Sequence, residues 1–204
     1  MNEGYTKFAV HLTQGDLPAC PALTRLNEVR TVLHDLELIG VLPGGIGYGN
    51  VSVRLDGTSK FIISGTATGA KRVLAPTDYC VVDSFDAARN EVFCTGRIQA
   101  SSESMSHGSV YQANPAINCV IHIHSAVMFR FMQANGYLKT SEKALYGTPE
   151  IAAETARLVR DTGTVQGIFV TAGHEDGVIA YGADIDSVEQ LLLEANRQSM
   201  GCEL

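Results

Sequence analysis

Two histidines stand one residue apart in the stretch NCVIHIHS, which runs from Asn118 to Ser125. A segment rich in valine and isoleucine predicts a β-strand, and the side chains of a strand alternate between its two faces. His122 and His124 are therefore predicted to share one face, whereas Cys119 lies with the isoleucines on the other. Two imidazoles about 6 to 7 Å apart along a strand can bind one metal ion, or they can be hydrogen-bonded polar groups at the end of a sheet.

A third histidine, His174, stands in TAGHEDGVIAYG between two strand-like runs. Gly173 and Gly177 flank it, and a glycine-rich turn at the end of one strand can bring a side chain to the end of another. Three histidines with one open position form the ligand set of a catalytic zinc site. The alternative interpretation is that His174 is a surface turn residue.

A carboxylate that could work beside such a metal is Glu103, in QASSESMSHGSVY. Ser101 or Ser102 is a suitable helix N-cap, which would put Glu103 in the first turn, where the helix dipole favours a carboxylate. Four residues on, His107 shares the helix face of Glu103 and could pair with it or support a metal ligand. Capping electrostatics alone would also explain the glutamate.

Three short segments have the composition of anion sites. GYGNVS covers residues 47–52, SGTATG covers 64–69, and Ser101-Ser102 stand where a helix is predicted to begin. Exposed backbone N–H groups in glycine-rich turns and at helix N-termini can bind phosphate without a basic patch. Together these segments could hold a phosphate, although tight turns explain each of them as well.

The composition limits the classes of protein to which the chain can belong. Its 204 residues are 45% hydrophobic and carry a net charge of −7, which predicts one globular domain over residues 1–204. An acidic chain without clustered lysine or arginine favours a small-molecule substrate over a nucleic acid or an anionic membrane. The first residues lack the basic start and apolar core of a signal peptide, so we expect a cytoplasmic protein. Reduced thiols are expected at the five scattered cysteines, Cys20, Cys80, Cys94, Cys119 and Cys202.

The elements that would position these residues follow from the spacing of apolar side chains. Helical spacing predicts a helix after Pro21 that closes at Gly40, followed by an irregular glycine-rich segment. Residues 51–64 indicate a hairpin that turns at Asp56-Gly57, and residues 80–93 indicate a second strand pair. Further helices are predicted from the SSE motif to about residue 114, from 125 to about 133, from 149 to 160 and from 184 to 200. Strands outnumber crossover helices, so we expect a mixed or antiparallel sheet covered by helices.

Five motifs follow one another along the chain: GNVSVR, SGTATG, SSE with a histidine four residues on, HIHS, and a histidine in a glycine turn. In this order they resemble the class II aldolase/adducin family, which includes fuculose-phosphate aldolase. The likeness runs from about Leu23 to Leu193 and is most specific between SSE and the H-x-H pair. It implies a three-layer α/β/α fold around a mixed, largely antiparallel sheet, a homotetramer with active sites at subunit interfaces, and one Zn2+ per subunit.

The resemblance also implies a role for each candidate residue. His122, His124 and His174 would be the zinc ligands, and Glu103 would be the acid/base. The phosphate of the substrate would be held by small and polar residues, namely Asn50, either Ser64 with Gly65 or Thr68 with Gly69, and Ser101 with Ser102. Zinc would act as a Lewis acid on a small sugar phosphate and stabilise the enediolate of a retro-aldol cleavage, while Glu103 moves the proton. The chain is thus expected to be a zinc-dependent aldehyde-lyase.

The chain departs from the family in two regions that bear on the reaction. Glu175 and Asp176 separate His174 from its glycine, which enlarges this turn and places two further carboxylates near the metal. The segment after His124 is short where aldolases of the family carry a tyrosine that reaches a neighbouring subunit's site. Tyr137 lies inside this segment, and we assign it as the proton donor.

Two alternatives stay open beside aldol cleavage. An enzyme of the same fold could dehydrate or epimerise a ketose phosphate; family epimerases carry aspartate in the SSE position, so Glu103 favours aldolase or dehydratase chemistry. A non-catalytic, adducin-like module is the second alternative, and it predicts missing ligands where this chain has all three histidines. An enzyme of this fold whose substrate has no phosphate is also compatible with the altered turn.

Overall fold

The computed structural model describes residues 8–201. Residues 1–7 and Cys202, which enter the expectations above, lie outside the described residues. The helices are α1 (Ala22–Asp35), α2 (Ser104–Ala113), α3 (Ala126–Ala134), α4 (Pro149–Thr162) and α5 (Ile185–Gly201). The strands are β1 (Ala9–Gln14), β2 (Gly40–Val41), β3 (Gly47–Tyr48), β4 (Asn50–Arg54), β5 (Phe61–Ser64), β6 (Tyr79–Asp86), β7 (Glu91–Gly96), β8 (Cys119–His124), β9 (Gly167–Val170) and β10 (Gly177–Gly182).

Eight of these strands form one sheet in the order β1-β7-β6-β5-β4-β8-β10-β9. The β1–β7 pair is parallel, and every other pair of neighbours in this sheet is antiparallel. The predicted mixed, largely antiparallel sheet is therefore confirmed. The sequence analysis did not predict β1, which forms an edge of the sheet through its pairing with β7.

Helices cover both faces of the sheet, each set over its own apolar core. Leu26 of α1, Met128 of α3 and Leu192 of α5 lie in the core on one face. Val110 of α2 and Val159 of α4 lie in the core on the other face. All five side chains are at most 1% exposed. This arrangement is the expected three-layer α/β/α architecture.

The side chains of β8 alternate between the two cores, as the sequence predicts. Cys119, Ile121 and Ile123 belong to the core beneath α1, α3 and α5, whereas Val120 belongs to the opposite core. His122 has the parity of Val120 and is 1% exposed. Because β8 lies between β4 and β10, both of its neighbours can supply groups around its histidines.

The predicted hairpins are present, while the glycine-rich segment between them and α1 differs from the prediction. β4 pairs with β5 around the turn at Gly57, and β6 pairs with β7. α1 ends at Asp35, before the predicted end at Gly40. The segment 40–50 is not wholly irregular, because β2 and β3 form a short antiparallel ribbon. Tertiary packing beside the loop at residues 64–69 allows this ribbon despite its high glycine content.

The cysteines of the described range are free thiols, as expected: Cys20, Cys80, Cys94 and Cys119. The last three are buried in the two cores and act as packing residues. Between residues 8 and 201, no helix has both the length and the apolar character needed to cross a membrane.

Candidate metal and anion site

The ends of two adjacent strands bring the three histidines together. β8 ends at His124, and Gly177 at the start of β10 lies opposite it in the antiparallel pair. The turn before β10 closes by two backbone hydrogen bonds: His174 N–H donates to Thr171 O at 2.8 Å, and Gly177 N–H donates to His174 O at 3.1 Å. His174 is thereby held beside the end of β8, although it lies far away in sequence.

The ring nitrogens of these histidines converge on one point. The Nε2 atoms of His122 and His124 are 3.0 Å apart, and one ring nitrogen of each of the three residues lies within 4.8 Å of the others. Two nitrogen ligands about 2.0–2.1 Å from a tetrahedral zinc are about 3.3 Å apart, so the first pair is close to the spacing that a metal requires. The three side chains are at most 8% exposed. The triad of His122, His124 and His174 could therefore hold a metal ion.

Burial keeps His122 in the neutral form that binds metal ions. It lowers the pKa of His122 well below its ordinary value, and the nearby His124, His174 and His107 lower that pKa further. A backbone hydrogen bond with Val178 acts in the opposite direction without reversing the result. A neutral imidazole keeps a ring-nitrogen lone pair for a metal.

Glu103 lies against the triad. Its side chain is 3% exposed, and its Oε1 atom is 3.5 Å from Nδ1 of His174. The hydroxyl of Ser106 donates a hydrogen bond to Oε2 of Glu103 at 3.1 Å, which orients the carboxylate. The tertiary structure thus places the predicted carboxylate beside the predicted ligands.

The start of α2 differs from the prediction. Glu103 itself occupies the N-cap position, and no side chain caps the helix. Ser101 belongs to the preceding turn, in which its carbonyl accepts hydrogen bonds from Ser104 N–H at 3.0 Å and Ser104 Oγ at 2.7 Å. The predicted N-cap role of Ser101 or Ser102 was therefore wrong, because the helix begins later than the motif suggests.

The side chain of His107 forms a hydrogen bond to Ser52 of β4 and not to the Glu103 carboxylate. Its Nδ1 atom is 2.7 Å from Ser52 Oγ, which is also 2.7 Å from the Tyr111 hydroxyl oxygen. Burial lowers the pKa of His107 to about 3. Pairing with the Glu103 carboxylate is thus not the role of His107, while support of the metal ligands stays a prediction.

The sequence analysis missed two tyrosines that line the cavity around the triad. The ring of Tyr146 stacks on His174 at a centroid distance of 4.7 Å, and the ring of Tyr48 lies 5.4 Å from His124. Gly173 brings Tyr146 there, because a Cβ atom at Gly173 would lie only 2.2 Å from the Ala144 carbonyl oxygen. Tyr146 is the first residue of the sequence YGTPE, but no local pattern in the sequence predicted its contact with His174.

Tyr137, the predicted proton donor, does not reach the triad of its own chain. Its hydroxyl is 3.4 Å from Oε1 of Gln198, and its ring contacts Phe131. Among the described residues it does not line the cavity around the histidines. A role in a neighbouring subunit's site stays a prediction.

A second cavity, which we call the anion cavity, adjoins the triad. It has a volume of about 270 Å³. Six of the seven residues predicted to bind phosphate line it: Asn50, Gly65, Thr68, Gly69, Ser101 and Ser102. Asn50 and Ser102 also line the cavity around the triad, and Asn50 lies opposite His122 in the β4–β8 pair. The two cavities therefore share a wall.

Close backbone packing builds the anion cavity. A Cβ atom at Gly69 would lie 2.1 Å from the Gly40 carbonyl oxygen, so only glycine permits the loop at residues 64–69 to meet the β2–β3 ribbon. Thr68 Oγ1 donates to Gly65 O at 2.9 Å inside this loop. Ser64 has a different function: its hydroxyl accepts a hydrogen bond from Val51 N–H at 3.1 Å within the sheet. The structure thus brings Gly65, Thr68 and Gly69 to the cavity and leaves the Ser64 side chain outside it.

The enlarged turn after His174 carries two carboxylates, those of Glu175 and Asp176, that are not in the lining of the cavity around the histidines. Glu175 is exposed, and the Asp176 carbonyl accepts a hydrogen bond from Ser125 N–H at 2.9 Å. Asp176 has a φ of 62°, in the left-handed region. The side chains of both residues lie outside the lining of that cavity, and the expectation of two further carboxylates near the metal stays a prediction.

Comparison with known proteins identifies the family. The family model of the class II aldolase and adducin N-terminal domain matches residues 45–198. This match covers most of the chain and contains the triad, Glu103 and every residue that lines the shared wall. The chain therefore belongs to the class II aldolase and adducin N-terminal domain family. A search of curated protein sequences found no match.

Solved structures of aldolases have the same fold. An L-fuculose 1-phosphate aldolase has a TM-score of 0.67 at 18% identity, with 90% of this chain and 85% of that chain covered. The L-fuculose-1-phosphate aldolase of Thermus thermophilus has a TM-score of 0.59 at 21% identity, with 87% and 90% covered. A sugar-phosphate aldolase from Thermotoga maritima has a TM-score of 0.63 at 15% identity, with 88% and 93% covered. At these identities the likeness establishes the fold.

Proposed function

We propose that this protein is a zinc-dependent aldehyde-lyase that cleaves a small sugar phosphate by a retro-aldol reaction. The observation that carries the proposal is the shared wall between the two cavities. A triad of buried histidines with a carboxylate 3.5 Å from one of them lies on one side. A cavity lined by glycine-rich loops lies on the other. A ligand with a carbonyl at one end and a phosphate at the other would occupy both.

The triad is suited to one divalent metal per subunit. His122, His124 and His174 would supply three nitrogen ligands and leave a position open, which is typical of catalytic zinc. When bound, the metal would supply Lewis acidity that stabilises the negative charge of an enediolate. The family membership and the neutral form of His122 both support this part of the proposal.

Glu103 would move the proton of the reaction. Its carboxylate is buried at the wall of the triad and held by Ser106, so one oxygen is oriented toward His174 and the site. A carboxylate shielded from water and within reach of a substrate hydroxyl can accept its proton as the carbon–carbon bond breaks. Tyr146 would exclude water from the opposite side, because its ring covers His174.

The anion cavity would bind the phosphate through backbone N–H groups and short hydroxyl side chains. Gly65, Thr68, Gly69, Ser101 and Ser102 line it, and Asn50 joins it to the metal end. Asn50 lies opposite His122 in the sheet, so the phosphate and the reacting carbonyl would be held at a defined separation.

We further propose a cytoplasmic homotetramer in which residues 1–204 form a single domain. Two large apolar side chains support the assembly, because Leu138 and Leu145 are 45% and 50% exposed in the segment that leads to Tyr146. Contacts between copies of this chain would cover them. Tyr137 lies at the start of the same segment and would serve the neighbouring subunit's site.

Metal analysis and product analysis test the proposal together. Protein purified without chelator is expected to contain close to one equivalent of zinc, and a panel of ketose phosphates should include one that yields two products. Less than about a tenth of an equivalent of any divalent metal would overturn it, given the affinity expected of a three-histidine site. A single product that has lost water would instead assign the chain to the dehydratases of the same fold.

A further inference from the structure

The anion cavity has a buried arginine behind it. Arg30, on α1, is 1% exposed. Its guanidinium donates hydrogen bonds to three backbone carbonyls. Nη2 donates to Thr68 O of the loop at 2.9 Å. Nη1 donates to Lys71 O at 2.7 Å and to Arg72 O at 3.2 Å in the segment that follows the loop. This arginine is therefore bound to the backbone of the loop that lines the cavity.

The charge of Arg30 is not neutralised by a direct ion pair. In the described part of the chain, no carboxylate lies within 4.0 Å of its guanidinium. The nearby Asp78 is bound by Lys71 Nζ and by the Ala75 N–H at 3.0 Å. Burial lowers the pKa of Arg30, and Tyr79 and Asp78 oppose this effect. Arginine nevertheless stays protonated in proteins, so a full positive charge lies behind the loop.

Anchoring the Thr68 carbonyl also orients the cavity wall. In a trans peptide the C=O and N–H groups point in opposite directions. With Thr68 O bound to Arg30, the N–H of Gly69 points away from the guanidinium, and Gly69 lines the cavity. Arg30 thus holds the loop so that the Thr68 carbonyl faces α1 and the Gly69 N–H faces the opposite way.

The lining of the cavity explains why such a charge would matter. Among the described residues, no lysine or arginine side chain lines the anion cavity, and the chain has a net charge of −7. Apart from Ile46 and Ala67, backbone groups and short polar side chains form the lining that a ligand would meet. A buried charge is screened by solvent much less than an exposed one, so it acts across the thickness of the loop.

We propose that Arg30 is the positioning residue of the anion cavity and makes it selective for the dianion of a phosphate monoester over neutral ligands. This inference rests on the proposed function, because it concerns the phosphate end of that site. Arg30 supplies positive charge and the orientation of the Thr68–Gly69 peptide without touching the ligand.

The experiment compares three variants of the metal-loaded protein. Arg30→Met removes the charge, Arg30→Lys keeps the charge but cannot hold three carbonyls, and Arg54→Met is the matched control. Arg54 also donates to three backbone carbonyls, but those of Ile117, Tyr111 and Asn114 do not belong to a loop that lines the anion cavity. Calorimetric titration with inorganic phosphate measures the dissociation constant, and repeating it on metal-depleted protein removes any phosphate bound by the metal.

We expect Arg30→Met to weaken phosphate binding about tenfold or more, because the cavity loses a weakly screened positive charge and the anchor of the Thr68–Gly69 peptide, and Arg30→Lys to weaken it several-fold through loss of the anchor alone. Arg54→Met should keep the wild-type dissociation constant even if it unfolds at a lower temperature. Metal content, and affinity for the unphosphorylated sugar, should be unchanged in all three. A merely structural role of Arg30 would lower the stability and leave the preference for phosphate over the neutral sugar unaltered.

Each result of these titrations either supports or overturns the proposed role of Arg30. Equal phosphate affinity in wild type and either Arg30 variant would overturn the inference while the proposed function stands. If Arg30→Met does not fold, Arg30→Lys decides by the same criterion. Wild-type protein that cleaves a substrate but binds no phosphate would overturn the inference alone, whereas protein that neither holds metal nor cleaves any ketose phosphate would overturn the proposed function.

Discussion

The two ends of the site are built in opposite ways. At the metal end, side chains would perform the chemistry, because three histidines and Glu103 project from a strand end, a turn and a helix start. At the anion end, the backbone would supply most of the donors, because the loops that line the cavity are rich in glycine and their hydroxyl side chains are short. The two ends meet at Asn50, which lies opposite His122.

This difference predicts different sensitivities. The metal end should fail when one side chain changes, even if the fold is intact, since each ligand is an individual donor. The anion end should tolerate single changes of the small side chains that line it better than the metal end tolerates the loss of a ligand, but it should fail when a Cβ atom prevents the close approach of two backbone segments. Variants of each kind can therefore test whether the two ends depend on different groups.

Removing a ligand should have the largest effect. His122→Ala is expected to reduce metal content below about a tenth of an equivalent and activity to background, because two histidines rarely retain a catalytic metal. Metal analysis by mass spectrometry measures this. His34→Ala on α1, outside the triad, is the control and should keep full occupancy. Retention of metal by His122→Ala would contradict the assignment of the triad.

Neutralising the carboxylate should have the next largest effect. Glu103→Gln keeps the shape of the side chain but removes its basicity, so we expect normal metal content and a turnover number lower by about 10²–10⁴-fold. Steady-state kinetics on the cleaved ketose phosphate measure it. Glu175→Gln, an exposed carboxylate beside His174, should leave turnover unchanged. An unaltered rate in Glu103→Gln would favour the non-catalytic, adducin-like alternative or a different base.

A backbone clash should break the anion end alone. In Gly69→Ala the new methyl group would lie 2.1 Å from the Gly40 carbonyl oxygen, so the loop must shift. We expect the KM for the phosphorylated substrate to rise about tenfold, with metal content unchanged and stability lower by about 1–3 kcal/mol. Gly44→Ala is a matched control, since it lines the same cavity and a Cβ atom there meets nothing within 4 Å. Equal KM values for the two variants would contradict the backbone account.

The smallest expected effect is the dependence of folding stability on pH through His107. The pKa of His107 is lowered to about 3 in the folded protein, whereas an unfolded histidine has a pKa of about 6.5. Between these values the unfolded chain binds a proton that the folded chain does not, so the stabilising contribution is present above pH 6.5 and is lost as the pH falls toward 3. Urea unfolding of metal-depleted protein should show a decline on the order of 1 kcal/mol per pH unit from this group. His107→Asn should decline less steeply, and an equal slope would exclude His107 as the source.

Much of the fold was predictable because its signals are local. The alternation in β8 assigned Cys119 and the two histidines to opposite faces, and Asp56-Gly57 predicted the first hairpin correctly. β1 was not predicted, since its parallel pairing with β7 depends on strands that are distant in sequence. The β2–β3 ribbon was missed for a similar reason: its glycines have little preference for a strand until the neighbouring loop packs against them.

The site was predictable to the extent that its motifs are compact. SSE, HIH and the histidine of the glycine turn identified the triad and Glu103, and the structure brings these four residues together. Tyr146 was missed because its contact with His174 joins two loops that no local pattern connects. Glu175 and Asp176 show the opposite case, since nearness in sequence to His174 did not bring their side chains into the lining of that cavity.

The sequence by itself determined which chemistry is available. Strand periodicity placed His122 and His124 on one face, and the residue types supplied imidazole, carboxylate and glycine within the range that the family model matches. Only the tertiary structure decided what those groups meet. Antiparallel pairing of β8 with β10 brought His174 to the other histidines, and close glycine contacts set the anion cavity beside them. Periodicity depends on neighbours along the chain, whereas the distance between two loops depends on the packing of the whole sheet.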